Sequence, residues 1–239
     1  MCPGPSLLTY ADAQMRNRSS AHPGPGPTIP LALRIVIIAV VAAKGGGGKT
    51  VLAMSLVAAA RGPALLVDCD PQSTALSWAR MAETEGTPLP AQVVGLPGRD
   101  LRRRLGVLNV ARSVTVILDT PPGDLAIITG GLSVCDVALV PVRPTITDVS
   151  RSWATLSLAD ELGVPALVVL SQCRARTRLL EVSRSALTEG GARVAKTEIP
   201  SREVIASAYG GPVPEILAEL GTELLGEVHK MTKARRRTA

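Results

Sequence analysis

Residues Ala42 to Ala53 read AAKGGGGKTVLA, with four consecutive glycines between Lys44 and Lys49. Glycines at this density let a backbone turn tightly and bring its N–H groups close to an anion. When a helix follows, the same turn points the positive end of the helix dipole at that anion. In this reading Gly45, Gly46, Gly47 and Gly48 wrap phosphate oxygens, Lys49 reaches the β and γ phosphates of a nucleotide, and the Thr50 hydroxyl can ligate magnesium. The general pattern GxxxxGKT asks for glycine at position 43, where this chain has alanine, so the loop departs from the ordinary one. Two carboxylates in LLVDCD, Asp68 and Asp70, stand where the chain leaves an apolar run, and Asp119 ends a second such run, VILD. Phosphoryl transfer needs charge neutralisation and positioning rather than a covalent nucleophile, so these lysines and carboxylates suffice in kind.

Such residues must be carried at one edge of a sheet. Downstream of residue 30, continuous apolar runs alternate with amphipathic stretches of helical length, the pattern of parallel strands covered on both faces. Strands are expected at Arg34–Ala42, Ala64–Val67, Gln92–Val94, Thr115–Leu118, Val137–Val140, Ala166–Leu170 and Arg193–Glu198. Helices are expected at Lys49–Ala60, Ser73–Thr84, Asp100–Ala111, Asp124–Val134, Asp148–Leu162, Thr177–Glu189 and from Pro214 to about Lys230. The fold class is therefore α/β, a single doubly wound, mostly parallel sheet with helices on both faces. Ligands of such sheets sit beyond the carboxyl ends of the strands, which is where the glycine loop and all three aspartates fall.

Composition narrows the function. The 239 residues suit one large domain, and 46% apolar content is ample for a core. With no Phe, two Trp and two Tyr, the core must be aliphatic, and the case for a platform of aromatics stacking on RNA bases is weak. The formal charge of +6 is concentrated in HKMTKARRRTA, where Lys230, Lys233, Arg235, Arg236 and Arg237 stand without an acid, and GRDLRRRLG holds a second basic cluster. Cys2, Cys69, Cys135 and Cys173 are isolated, which argues against a metal cluster or a disulfide framework. Cys69, between two acids, is expected to face the core. The apolar run from Ile35 to Ala43 is too short to span a bilayer, and no secretory leader is visible. The expected organisation is a disordered Pro/Gly-rich arm over 1–30, a nucleotide-binding domain over 31–228 and a basic tail over 229–239.

Lys44 and GGGGKT together resemble the KGGxGKT deviant phosphate loop of the ParA/MinD family of ATPases. The likeness continues in order: LLVDCDPQSTALSWA is similar to the family's second motif, VILDTPPG to its Walker B strand and ALVPVRPTITDV to its proline-containing segment. TEIPSREVIASAYGGPVPEI resembles its C-terminal adenine-side motif. The resemblance runs from Arg34 to Leu225 and is nearest to the short plasmid-partition members, the ParF-like group without an N-terminal helix-turn-helix. It implies a P-loop ATPase using ATP/ADP and Mg2+. It also implies that Lys44 reaches the phosphates bound by a partner subunit, while Lys49 acts within its own. Asp70 would orient the attacking water, Asp68 would support the magnesium shell, and Asp119 would hold magnesium through water.

The likeness has gaps. Val51 stands where relatives carry a threonine on the α-phosphate, and Gln172 stands where they carry Arg or Asn near the adenine. Pro200 and Arg202 match adenine-side positions loosely. The partners implied are a second copy of the chain, as an ATP-dependent homodimer or polymer, DNA bound without sequence preference, and a centromere-binding adaptor protein. The location implied is the cytoplasm, on the nucleoid, without a membrane. Two other readings stand beside DNA partition. A metabolic P-loop ligase or kinase would need a further polar pocket. A MinD-like positioning ATPase calls for an amphipathic C-terminal helix with large apolar residues, and beyond Val228 the chain offers only Met231.

Overall fold

The computed structural model describes residues 36–98, 100–108 and 114–238, with side chains as far as Lys233. The 1–30 arm and Arg99 of the second basic cluster lie outside the described residues. The apolar runs form β1 (Val36–Val40), β2 (Ala64–Asp68), β3 (Gln92–Gly95), β4 (Thr115–Asp119), β5 (Val137–Val142), β6 (Ala166–Cys173) and β7 (Ile199–Pro200). Between and after them lie α1 (Lys49–Ala59), α2 (Thr74–Thr84), α3 (Leu101–Val107), α4 (Leu125–Leu132), α5 (Ile146–Glu161), α6 (Arg178–Glu189), α7 (Glu203–Ala206) and α8 (Glu215–Thr238).

The strands make one sheet in the order β3-β2-β4-β1-β5-β6-β7, parallel at every described pairing. Alternation along each strand divides the core in two. Ile38, Val40, Leu66, Ile117 and Leu139 meet Leu52, Met54 and Leu56 of α1, Trp78 of α2 and Leu217 and Leu224 of α8. Ala39, Val41, Val67, Leu118 and Val140 meet Leu101 of α3, Ile128 of α4, Val149 of α5 and Leu180 and Leu187 of α6. Both faces being apolar, each central strand reads as an unbroken hydrophobic run. The expected doubly wound parallel sheet is the observed one.

Most elements start or stop within a few residues of expectation, and four of the differences have a local reason or a consequence for the site. The last strand is Ile199–Pro200 rather than Arg193–Glu198, with only an isolated bridge from Val194 to Val168 upstream. An edge strand needs no continuous ladder, and Pro200 lacks an N–H to extend one. Helix α5 begins at Ile146 because Thr145 caps it, its hydroxyl accepting from the Asp148 N–H at 3.1 Å, so Asp148 lies inside the first turn. Helix α3 ends at Val107, short of Ala111, and the stretch 109–113 lies outside the described residues. Helix α8 continues to Thr238, beyond Lys230, with Val228, Met231 and Thr232 buried along it. The one-turn α7 was not expected; four residues carry no periodicity to read.

Candidate functional site

The loop after β1 is shaped by two glycines in the left-handed region, Gly46 at φ 74° and Gly48 at φ 87°. A Cβ at Gly48 would also lie 2.6 Å from Ser171 Oγ, so that side chain would have to move to admit one. The first hydrogen bond of this helix start runs from Leu52 N–H to the Gly48 carbonyl, so the preceding N–H groups point out of the helix end, the arrangement that binds anions. Lys49 is buried, and its Nζ donates to the Lys44 carbonyl at 3.2 Å. Burial lowers its pKa, and the charges of Asp119 and Asp70 act in the opposite direction.

The sheet register brings the acids to the loop. Asp119 ends β4 opposite Val40 of β1 on one side and Asp68 of β2 on the other. Thr50 Oγ1 donates to Asp119 Oδ2 at 2.7 Å, while the buried Oδ1 has no hydrogen-bond partner. Burial pushes the Asp119 carboxyl up to about 7, against the Thr50 hydrogen bond that favours its charged form. A buried carboxylate oxygen without a partner beside a threonine hydroxyl is a hard-oxygen donor set that suits Mg2+. Among the described residues no three His, Cys, Asp or Glu side chains gather into a metal site of their own. That fits an ion held by one or two protein oxygens, phosphate and water.

Asp68 is used differently. Its Oδ1 accepts from Asp70 N–H at 3.0 Å and its Oδ2 from Leu76 N–H at 2.9 Å, so it shapes the turn that leads from β2 into α2 and carries Asp70. Burial raises its pKa, opposed by those same N–H groups. Asp70 Oδ1 accepts from Gln72 N–H at 2.9 Å. Cys69 is buried, as expected, and desolvation raises its thiol far above the usual range.

On the other flank, Lys44 Nζ lies 2.6 Å from Asp148 Oδ1, and Arg143 Nε lies 2.7 Å from Oδ2 of the same carboxylate. The Asp148 side chain is only 7% exposed, whereas those of Lys44 and Arg143 are 37% and 33% exposed, so both cations reach the carboxylate from the solvent side. Burial works to raise the Asp148 pKa, but hydrogen bonds from Lys44 and Arg143 hold its carboxyl below the ordinary range. The sequence reading missed Asp148 and Arg143. Thr145-x-x-Asp148 has the spacing of a capping box, which places Asp148 in the first turn of α5 and gives no sign of the cations it meets.

Gln172, expected near a base, instead donates from Nε2 to the Gly46 carbonyl at 2.7 Å, with its own backbone left-handed at φ 57°. Val51 is half-buried and packs on the α1 side of the core, which explains an apolar residue there. Pro200 pairs with Cys173 of β6, and Arg202 is exposed at the N-cap of α7; neither is brought to the glycine loop by any described contact.

Comparison with known proteins agrees with this fold. The family described as CobQ/CobB/MinD/ParA nucleotide binding domain matches residues 38–213. Maintenance of carboxysome distribution protein A of Halothiobacillus neapolitanus is 29% identical over 178 residues, covering 69% of this chain and 79% of that protein. A plasmid partition protein of Borrelia burgdorferi superposes with a TM-score of 0.62 at 15% identity, covering 82% of this chain and 99% of that one. The septum site-determining protein MinD of Pyrococcus horikoshii OT3, complexed with Mg-ADP, gives a TM-score of 0.64 at 18% identity, covering 82% and 97%.

Proposed function

Because the chain belongs to the CobQ/CobB/MinD/ParA nucleotide-binding family, we propose that it is an ATPase switch that positions DNA: ATP brings two copies together, the joined form holds DNA without regard to sequence, and an adaptor bound to a centromere-like site triggers hydrolysis. The observation that carries this reading is the pair of lysines. Lys49 is buried and fixed within the loop, whereas Lys44 is half-exposed and held by one carboxylate. A buried lysine serves the nucleotide of its own subunit. A half-exposed one suits phosphates presented by another copy, where the repulsion between two triphosphates in a water-poor seam is large and a cation from each side cancels it.

Gly45 to Thr50 and Lys49 would hold the phosphates, and Thr50 with Asp119 would hold Mg2+. When bound, the ion supplies charge neutralisation across the phosphate oxygens. Asp70, on the turn braced by Asp68, would orient the attacking water. Gln172 fixes the Gly46 carbonyl and so the loop's curvature. Support for DNA rather than a lipid surface as the matrix comes from α8. Its last described apolar residues, Val228 and Met231, are 2% and 7% exposed and so unavailable for insertion. Among the described residues no helix is long and apolar enough to cross a membrane.

Light scattering with Mg-ATP against Mg-ADP tests the proposal. A mass increase with ATP alone, lost in Lys44→Ala while fluorescent-nucleotide binding persists, is expected. Rapid turnover on a metabolite by a subunit that stays monomeric would instead make this a metabolic enzyme. ATP-dependent capture by liposomes with no affinity for DNA would make it a membrane-surface switch.

A further inference from the structure

Two clusters of described arginines differ in what their guanidinium groups touch. In α3 they are occupied: Arg102 donates to the Ser133 carbonyl at 2.6 Å, Arg103 lies 3.2 Å from Asp100, and Arg104 donates to the Pro97 carbonyl. These guanidinium groups hold a helix in place, which weakens α3 as a polyanion site. In the turn after β6 the situation is reversed. Arg174, Arg176 and Arg178 are all exposed, and among the described residues none of them makes an ion pair. The ion pairs that are present there take Arg143 to Asp148 and Arg184 to Glu198.

The turn is rigid. Arg176 sits at φ 58°, Thr177 donates from Oγ1 to the Arg174 carbonyl at 3.0 Å and caps α6, and Arg178 opens that helix. Three cationic side chains are thus offered within five residues on a braced backbone, so little ordering entropy is lost when they are used. The turn also leaves the same sheet edge as the glycine loop, and the two are bonded, since Gln172, two residues before Arg174, donates to the Gly46 carbonyl. The neighbouring strand ends add Arg143 and Arg202, because Val142 pairs with Leu170 and Pro200 with Cys173. The acids nearby are Glu181 and Glu203, with Asp148 already neutralised.

The basic end of α8 lies elsewhere. His229 and Lys230 border a groove with Val36 and Thr115, the first residues of β1 and β4, at the amino edge of the sheet. A duplex lying along the nucleotide edge would not meet it.

We infer that Arg174, Arg176 and Arg178 form the surface on which this protein takes the phosphate backbone of double-stranded DNA. The inference rests on the proposed ATP-dependent pairing of two copies. Guanidinium forks match phosphate geometry and pair with it bidentately. Joining two subunits across the glycine-loop edge doubles the turn on the side where the copies meet, and doubled contacts give avidity. The Gln172 tie gives the turn a direct mechanical link to nucleotide occupancy.

The test is fluorescence anisotropy of a short labelled duplex of arbitrary sequence, with the full chain and Mg-ATP, between about 50 and 200 mM salt. Replacing all three arginines by alanine should weaken binding at least tenfold near the middle of that range. It should also reduce the slope of log affinity against log salt by roughly 3 to 5, at about 0.9 per phosphate contact over two subunits. The triple lysine variant should retain most of the binding, and nucleotide affinity and ATP-dependent mass should be unchanged in both. Lys230→Ala with Lys233→Ala should leave the slope alone. If the arginine variant binds DNA like the parent, or if only the lysine pair matters, the inference fails while the proposed switch stands. If the variant loses nucleotide instead, the arginines belong to the nucleotide site and the inference fails. If the parent itself ignores DNA with ATP, the proposed function fails together with it.

Discussion

The ion pair between Lys44 and Asp148 sets a sign that can be measured. If Lys44 must leave its own subunit to reach a partner's phosphates, Asp148 opposes pairing, and Asp148→Asn should promote it. A hydrogen bond to a charged group contributes about 1.5–3 kcal/mol. Lys44 is 37% exposed, and Arg143 stays on the carboxylate when the lysine departs, so solvent screening reduces the cost to about 1 kcal/mol per subunit. Two subunits make that about 2 kcal/mol, or about 30-fold in the dimer dissociation constant. Sedimentation of Asp148→Asn against the parent in Mg-ATP should show tighter pairing by that order, with Mg-ADP samples monomeric in both. Looser pairing in Asp148→Asn, comparable with Lys44→Ala, would refute the reasoning and make Asp148 the group that aims Lys44.

Three further outcomes follow from particular contacts. Gly48→Ala should lose nucleotide affinity by at least tenfold, about 1–2 kcal/mol from the left-handed backbone alone, and Ser171→Ala in the same chain should restore part of it by removing the oxygen 2.6 Å from the new Cβ; isothermal titration reads both. Gly221→Ala should destabilise by about 3 kcal/mol in urea unfolding, because its Cβ would fall inside the Ser55 carbonyl and force α8 off α1. Burial raises Asp119 to about 7, so the folded chain holds this proton more tightly than the unfolded one. Its contribution to stability is complete below the ordinary carboxyl range and is lost as pH rises through about 7. The thermal midpoint of the magnesium-free protein should therefore fall between about pH 4 and pH 7 and level off above that, and Asp119→Asn should flatten the curve.

Much of the architecture could be read in the chain because both faces of the central strands are buried. Runs such as VIIAV and TVILD have no polar interruption, and the glycine loop between β1 and α1 leaves few alternatives. The aspartates at the strand ends were legible for the same reason, since a charge that closes an apolar run must lie at the sheet edge. What escaped depends on contacts between distant segments. Lys44 and Asp148 are separated by 104 positions, and nothing in PTITD reveals which cation its acid will meet. Gln172 was read toward a base, yet its left-handed backbone turns it back onto Gly46 across 126 positions. In sequence, the arginines of GRDLRRRLG and those of CRARTR are both short basic clusters. Only the carbonyls of Ser133 and Pro97, supplied by other turns, distinguish the two groups. At β7 the alternation in ARVAKTEIP was a sound strand signal, but an edge next to a bulged β6 pairs in pieces.

Mixing two inactive variants tests the central claim most directly. Lys44→Ala keeps its own phosphate loop but lends no cation, and Lys49→Ala lends Lys44 but holds no triphosphate. Each alone should fail to pair or turn over ATP, and the mixture should regain both, because Lys44 of one copy then serves the nucleotide of the other. Two folded variants that remain monomeric and inactive when mixed would contradict an exchange of Lys44 between subunits.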